Sequence, residues 1–234
     1  MIAVLKREFK SYFTNPIGWV ILAVFTFFVG MFFSVIYKSG TPSVEGVVSV
    51  MSTIAIFATP FITMRLLSED RRQKVDQVLL TSPVSLWGLV FGKFFATLAI
   101  FMMGYSMTIV FQIIIVFQNV TINWLVYIAN ILGIALMGSA LIALGIFISS
   151  MTENQLVAAV VSFTVSFLIY MLDNFASMIN NNIITKVVGW VSFVGRYNTF
   201  VEGVIDYSNA IFFLGFAAIF IFLTVRVLEK RRYS

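Results

Sequence analysis

The chain has no cysteine and no histidine. Without thiols it can form no disulfide, thiolate site or iron–sulfur cluster. Without imidazole it lacks the commonest general base and the commonest metal ligand. Charge is scarce as well: 11% of the 234 residues are charged, against about 25% in a soluble domain. What fills the space is apolar. Sixty per cent of the chain is hydrophobic and the mean hydropathy is +1.01. A chain this short leaves much of its surface outside any core, so so large an apolar excess cannot sit in water. Composition therefore excludes a soluble globular domain, a disordered chain and a nucleic-acid binder. The net charge of +5 and the pI near 9.6 are explained by where the charges stand.

A membrane helix needs about 20 mostly apolar residues. Six segments qualify, at 17–37, 46–64, 84–117, 124–148, 155–172 and 210–228. The third is longer than one span requires, and its first part, up to Lys93, is expected at the interface, with Lys93 snorkelling. Six spans put both termini on one side. That side carries Lys6, Arg7 and Lys10, then Arg65, Arg71, Arg72, Lys74 and Lys93, then Arg226, Lys230, Arg231 and Arg232, which is 12 of the 15 basic residues. The other side has Lys38, Lys186 and Arg196. Basic residues mark the cytoplasmic side, so both termini are expected there. The first apolar run is too long for the core of a signal peptide, and no small-x-small site follows it.

Residues 1–15 read as an interfacial helix. Ile2, Leu5, Phe9, Tyr12 and Phe13 share one helical stripe, while Lys6, Arg7 and Lys10 lie mostly elsewhere and suit anionic headgroups. Asn15-Pro16 breaks the helix before the first span. A second amphipathic helix is expected over 68–82. Ser68 can cap it, Glu69 and Asp70 suit the positive end of its dipole, and Val75, Val78 and Leu79 share a face. Composition leaves two readings open, a solvated loop helix and a docking surface. The external connection 173–209 is too apolar for a free loop and too polar for a span. It reads either as a re-entrant segment or as an interfacial loop anchored by Trp190.

Catalytic chemistry is missing. Gly88 to Lys93 has the look of a phosphate loop, but it is one spacer short, Phe94 stands for the Ser/Thr, and no strand precedes it. No paired intramembrane carboxylates suggest a proton-coupled carrier. Ala135, Ser139 and Ala143 form a small-x-x-x-small seam suited to close helix packing.

The order of features carries a resemblance. An amphipathic N-terminal helix ends in Asn15-Pro16. The run Leu66-Leu67-Ser68-Glu69-Asp70-Arg71-Arg72-Gln73-Lys74, then Val78-Leu79-Leu80-Thr81-Ser82-Pro83-Val84-Ser85, leads through Gly92-Lys93 into a span. Phe200, Gly203-Val204-Ile205-Asp206 and the basic tail Glu229-Lys230-Arg231-Arg232 close the chain. Over nearly its whole length the sequence resembles the ABC-2 type permeases, the membrane subunits of type V ABC exporters. Within them it is most similar to the gliding-motility-associated and nitrous-oxide-reductase-maturation subunits.

The resemblance implies an all-α membrane protein with six transmembrane helices. It implies an N-terminal connecting helix (Lys6, Arg7, Phe9, Lys10) and a coupling helix that docks on a separate ATPase (Glu69, Asp70, Arg71, Arg72, Lys74, Val75, Val78, Leu79). Lys74-Val75 stands where the family often has Gly-Thr. A re-entrant segment would form an external gate, for which Trp190, Phe193 and Arg196 are the candidates. Two permeases, the same or related chains, would pair above two ATP-binding cassette subunits. Those subunits would hold ATP and Mg, and this chain no cofactor. The setting implied is a bacterial or archaeal cytoplasmic membrane, and the cargo a hydrophobic, lipid-linked, peptide or polysaccharide substrate moved outward. A secondary transporter and a non-transporting anchor or assembly factor are the alternatives.

Reporter fusions after Ser234 and within 40–45 check the orientation. The C-terminal fusion is expected to report the cytoplasm and the internal one the outside; an external C-terminus contradicts six spans.

Overall fold

A computed structural model describes residues 1–38, 44–74, 85–117, 123–178 and 188–232. Among these residues the regular structure is entirely helical. The helices are α1 (Ile2–Thr14), α2 (Pro16–Lys38), α3 (Val44–Thr63), α4 (Ser68–Arg72), α5 (Leu86–Val116), α6 (Trp124–Met151), α7 (Gln155–Met178), α8 (Phe193–Val201) and α9 (Tyr207–Arg232). Five of them, α2, α5, α6, α7 and α9, are long and apolar enough to cross a membrane. Helix α3, at the place of the second expected span, is not one of those five.

Helix α6 is the axis. Of its spanning window 72% is buried, against 17–44% for the other four. Helices α9, α3, α8, α7 and α5 all pack against it. A helix that is apolar all round must be covered all round or face lipid, and α6 is covered by protein. The outer helices show the complementary pattern. Val20, Val24 and Phe27 of α2, Val160 and Leu168 of α7, and Ile211 and Leu214 of α9 are exposed large hydrophobics, as lipid-facing residues must be.

Close packing around α6 depends on glycine. A Cβ on Gly138 would overlap the Phe101 ring of α5, one on Gly145 would overlap Thr63 of α3, and one on Gly133 would lie 2.6 Å from Phe200 Cβ of α8. In the seam expected from sequence, Ser139 and Ala143 are buried and Ala135 is half-buried. The tightest approaches nevertheless fall at the three glycines, because removing a Cβ admits a whole neighbouring side chain.

Helix α3 contains Pro60, which cannot donate to the Ile56 carbonyl one turn back. Thr59 Oγ1 donates to both Ala55 O (2.9 Å) and Ile56 O (3.3 Å), and so partly restores the lost bond. Thr63 Oγ1 likewise turns back along the helix, to Thr59 O at 2.9 Å. Backbone groups away from water need such substitutes.

Two of the expected segments are now described. Helix α5 runs unbroken through Lys93, and its 31 residues would measure about 46 Å, longer than the hydrocarbon core is thick. The helix expected over 68–82 starts at Ser68 but stops at Arg72, and Lys74 takes a left-handed φ of 58°. The rest of that expected helix, including Val75, Val78 and Leu79, lies outside the described residues, as do Asn180 to Asn182 and Lys186.

Gly145→Ala is expected to destabilise the solubilised protein by about 1–3 kcal/mol, as overpacking does. Adding Thr63→Ala should recover part of the loss, because it removes the nearest overlapping atom; thermal unfolding followed by tryptophan fluorescence measures both.

Candidate docking site around the short charged helix

The N-terminal helix meets α4 through Lys93, and the C-terminal helix reaches the neighbouring end of α6. Helix α1 lies along α5 with Val4, Glu8 and Tyr12 turned inward, spaced i, i+4, i+8. Two glycines of α5 make room for it. A Cβ on Gly92 would lie 2.9 Å from Val4 Cβ, and Gly88 faces the backbone of Met1. The glycines that imitated a phosphate loop therefore seat a helix. The inward face also differs from the apolar stripe expected for α1. Of that stripe only Tyr12 is fully buried, Ile2 is exposed, and Leu5, Phe9 and Phe13 lie along the edge of the contact. Lys6, Arg7 and Lys10 are exposed.

At the centre is Lys93, with 1% of its side chain exposed. It does not snorkel to water. Its Nζ donates to Glu8 Oε1 at 3.0 Å and forms an ion pair, without the directionality of a hydrogen bond, with Asp70 Oδ2 at 2.7 Å. Three helices, α1, α4 and α5, thus share one ammonium group. Burial pushes the Glu8 carboxyl up, but Lys93 and then Arg7, 2.7 Å away, outweigh it and hold it below its ordinary value of 4.5. Tyr12 is buried, which raises its hydroxyl to about 12, so it stays a donor. It gives its proton to Ile62 O at 3.2 Å, one of the carbonyls that α3 leaves unpaired at its C-terminus.

Helix α4 is also fastened to α6. The amides of Leu67 and Ser68 both donate to Ser149 Oγ at 3.1 Å, and Ser149 Oγ donates to Met64 O at 3.0 Å. The cap of α4 therefore comes from another helix. Ser68, expected to cap it, instead turns its hydroxyl back to Met64 O. Arg71 reaches Met151 O at 3.3 Å and Glu153 at 2.6 Å. Arg231, near the C-terminus, donates to Ser150 O. Two arginines thus satisfy the final carbonyls of α6, where the dipole favours cations.

Of the residues expected to dock a partner, Glu69 pairs with Arg65 at 3.1 Å, and Asp70 and Arg71 are engaged as above. Arg72 and Lys74 are exposed. A cavity of about 310 Å³ opens between α1 and α4, lined by Arg7, Glu8, Arg65, Glu69, Asp70 and Lys93 among others. At the other end, the candidate gate residues lie together: Arg196 donates to the Trp190 carbonyl at 3.1 Å and shares the Phe212 ring with Phe193. Trp190 is exposed and Phe193 is wholly buried in ring contacts with Phe212, Phe213 and Phe216 at 5.0–5.6 Å. Arg196 lies 4.3 Å over the Phe212 ring and donates to Asn209 Oδ1 at 2.8 Å.

Sequence reasoning missed Glu8, Ser149 and the pairing of Lys93. Two signals bore on the ion pair, an acid at Glu8 within a basic helix and a lone cation at Lys93 set into an apolar one; Ser149 carried none.

Lys93→Met strands two largely buried carboxylates, and is expected to cost about 3 kcal/mol of stability. A lowered carboxyl pKa contributes stability above the ordinary value that is lost as pH falls through the folded value. The unfolding temperature should therefore drop as pH is taken below about 4.5, and Glu8→Gln should flatten that part of the profile.

No curated protein matches the chain as a relative. The family described as ABC-2 family transporter protein matches residues 2–232. That match spans all the elements described, so the chain belongs to the ABC-2 transporter family and is a multi-pass membrane permease component of an ABC transporter, not its ATPase.

Proposed function

We propose that this chain is the permease half of an ATP-driven exporter and that α4 is the element on which a separate ATP-binding cassette subunit docks. The observation that carries this reading is the placement of α4. It is short and charged, braced from behind by α1, α5 and α6, and presents Arg72 and Lys74 outward. The basic end that it shares with both termini is the cytoplasmic end, in keeping with 12 of 15 basic residues on that side. Helix α3 is the sixth span. Two such permeases, identical or related, would stand over two ATPase subunits, which hold the ATP and Mg. The gliding-motility and nitrous-oxide-reductase-maturation permeases are the subgroup that its sequence resembles. The cargo is a hydrophobic, lipid-linked, peptide or polysaccharide molecule moved out of a bacterial or archaeal cell. Ile2, Leu5, Phe9 and Phe13, flanked by Lys6 and Lys10, would rest on the lipid surface. The segment with Trp190, Phe193 and Arg196 would close the outer end.

A secondary transporter would use ionisable groups near the middle of the membrane. The buried Glu8–Lys93–Asp70 cluster does not serve that role. It lies about 10 Å from the start of α5 and joins helices at the end of the bundle.

Purification of the tagged chain from its own cells is expected to bring down an ATP-binding subunit. Glu69→Arg combined with Val78→Asp should lower that recovery about tenfold, equivalent to ~1.4 kcal/mol. Undiminished recovery means that docking occurs elsewhere.

A further inference from the structure

Helix α4 has three sets of fastenings, and they are unequal. Toward α5 and α1 it is held by Asp70–Lys93–Glu8, in which the ammonium is 1% exposed and the two carboxylates 18% and 13%. Separating such a pair leaves a desolvated charge, so the link resists stretching. Toward the turn between α6 and α7 it is held by Arg71–Glu153, whose side chains are 29% and 60% exposed. Water replaces that contact at little cost. Toward α6 itself it is held by the Leu67 and Ser68 amides on the Ser149 hydroxyl and by the exposed bond of Arg71 to the Met151 carbonyl.

We propose that Lys93 is a positioning residue for energy coupling: it makes α5 and α1 follow α4 as one body when α4 is displaced, while α7 is left behind. The proposal rests on the docking reading above. Its physical content is that a displaced α4 either carries α5 with it or leaves the largely buried Asp70 carboxylate unpaired, with Lys93 held by Glu8 alone. The exposed Arg71–Glu153 contact imposes no such condition on α7. Gly88 and Gly92 hold α1 close against the same stretch of α5, so α1 shares the motion.

The test uses the complex of the full chain with its co-purified ATP-binding subunit, reconstituted in lipid nanodiscs. The chain has no native cysteine, so spin labels can be placed singly at Met103 of α5 and Leu156 of α7, both exposed. The distance between them is measured with and without trapped ATP. Wild-type protein is expected to show a nucleotide-dependent shift that is lost in Lys93→Met. Asp70→Asn cuts only the α4 arm and leaves Glu8–Lys93 intact; it should also abolish the shift while the unfolding temperature changes little, which a merely structural role would not produce. Lys93→Arg keeps the charge, has the neighbouring cavity to expand into, and should restore the shift. Glu153→Gln should keep it. A shift that survives both Lys93→Met and Asp70→Asn overturns the proposal, as does its loss in Glu153→Gln alone. A wild-type chain that purifies without any ATP-binding subunit overturns the docking reading instead.

Discussion

One ammonium group with almost no access to water governs the basic end of this bundle. A buried charge must be matched or it destabilises the fold by several kcal/mol, and Lys93 is matched by carboxylates from two other elements. That condition fixes the rotation of α1, because Glu8 must face inward. It fixes the place of α4, because Asp70 must come within reach. The inward turn of Glu8 brings Val4 and Tyr12 with it, so the packing of α1 on α5 and the cap that Tyr12 gives to α3 follow from the same constraint.

The central helix raises the complementary problem. A helix buried on all sides still ends in carbonyls without partners. In α6 those at Ser150 and Met151 are met by Arg231 and Arg71, residues 80 or more positions away in sequence. Ser149, one residue earlier, spends its hydroxyl on the amides that open α4. The final turn of α6 is thus where the C-terminal tail and the charged helix are tied together. Charges that count in sequence only toward orientation turn out to hold defined hydrogen bonds.

Helix α4 shows a local rule overruled by its surroundings. A continuous helix through Leu80 is favoured by its pattern, yet the chain turns after Arg72 with Lys74 in the left-handed region. A residue with a Cβ is costly there, and glycine is the usual choice.

The sequence alone determined that this is a helical membrane protein, because runs of about 20 apolar residues have no other stable setting. The order of its charged and amphipathic segments pointed to the family. It left open which faces of the helices meet. Val4, Glu8 and Tyr12 form a less apolar stripe than Ile2, Leu5, Phe9 and Phe13, and yet they face the protein. Lys93 read as a snorkelling cation and Ser68 as a cap, since each assignment is correct for an isolated helix. Only the tertiary structure brings Glu8, Asp70 and Lys93 together, and sets Ser149 beneath α4. Pairing of buried charges and backbone groups is decided by contacts across 23 to 85 positions of chain, and no local pattern encodes a partner at that distance.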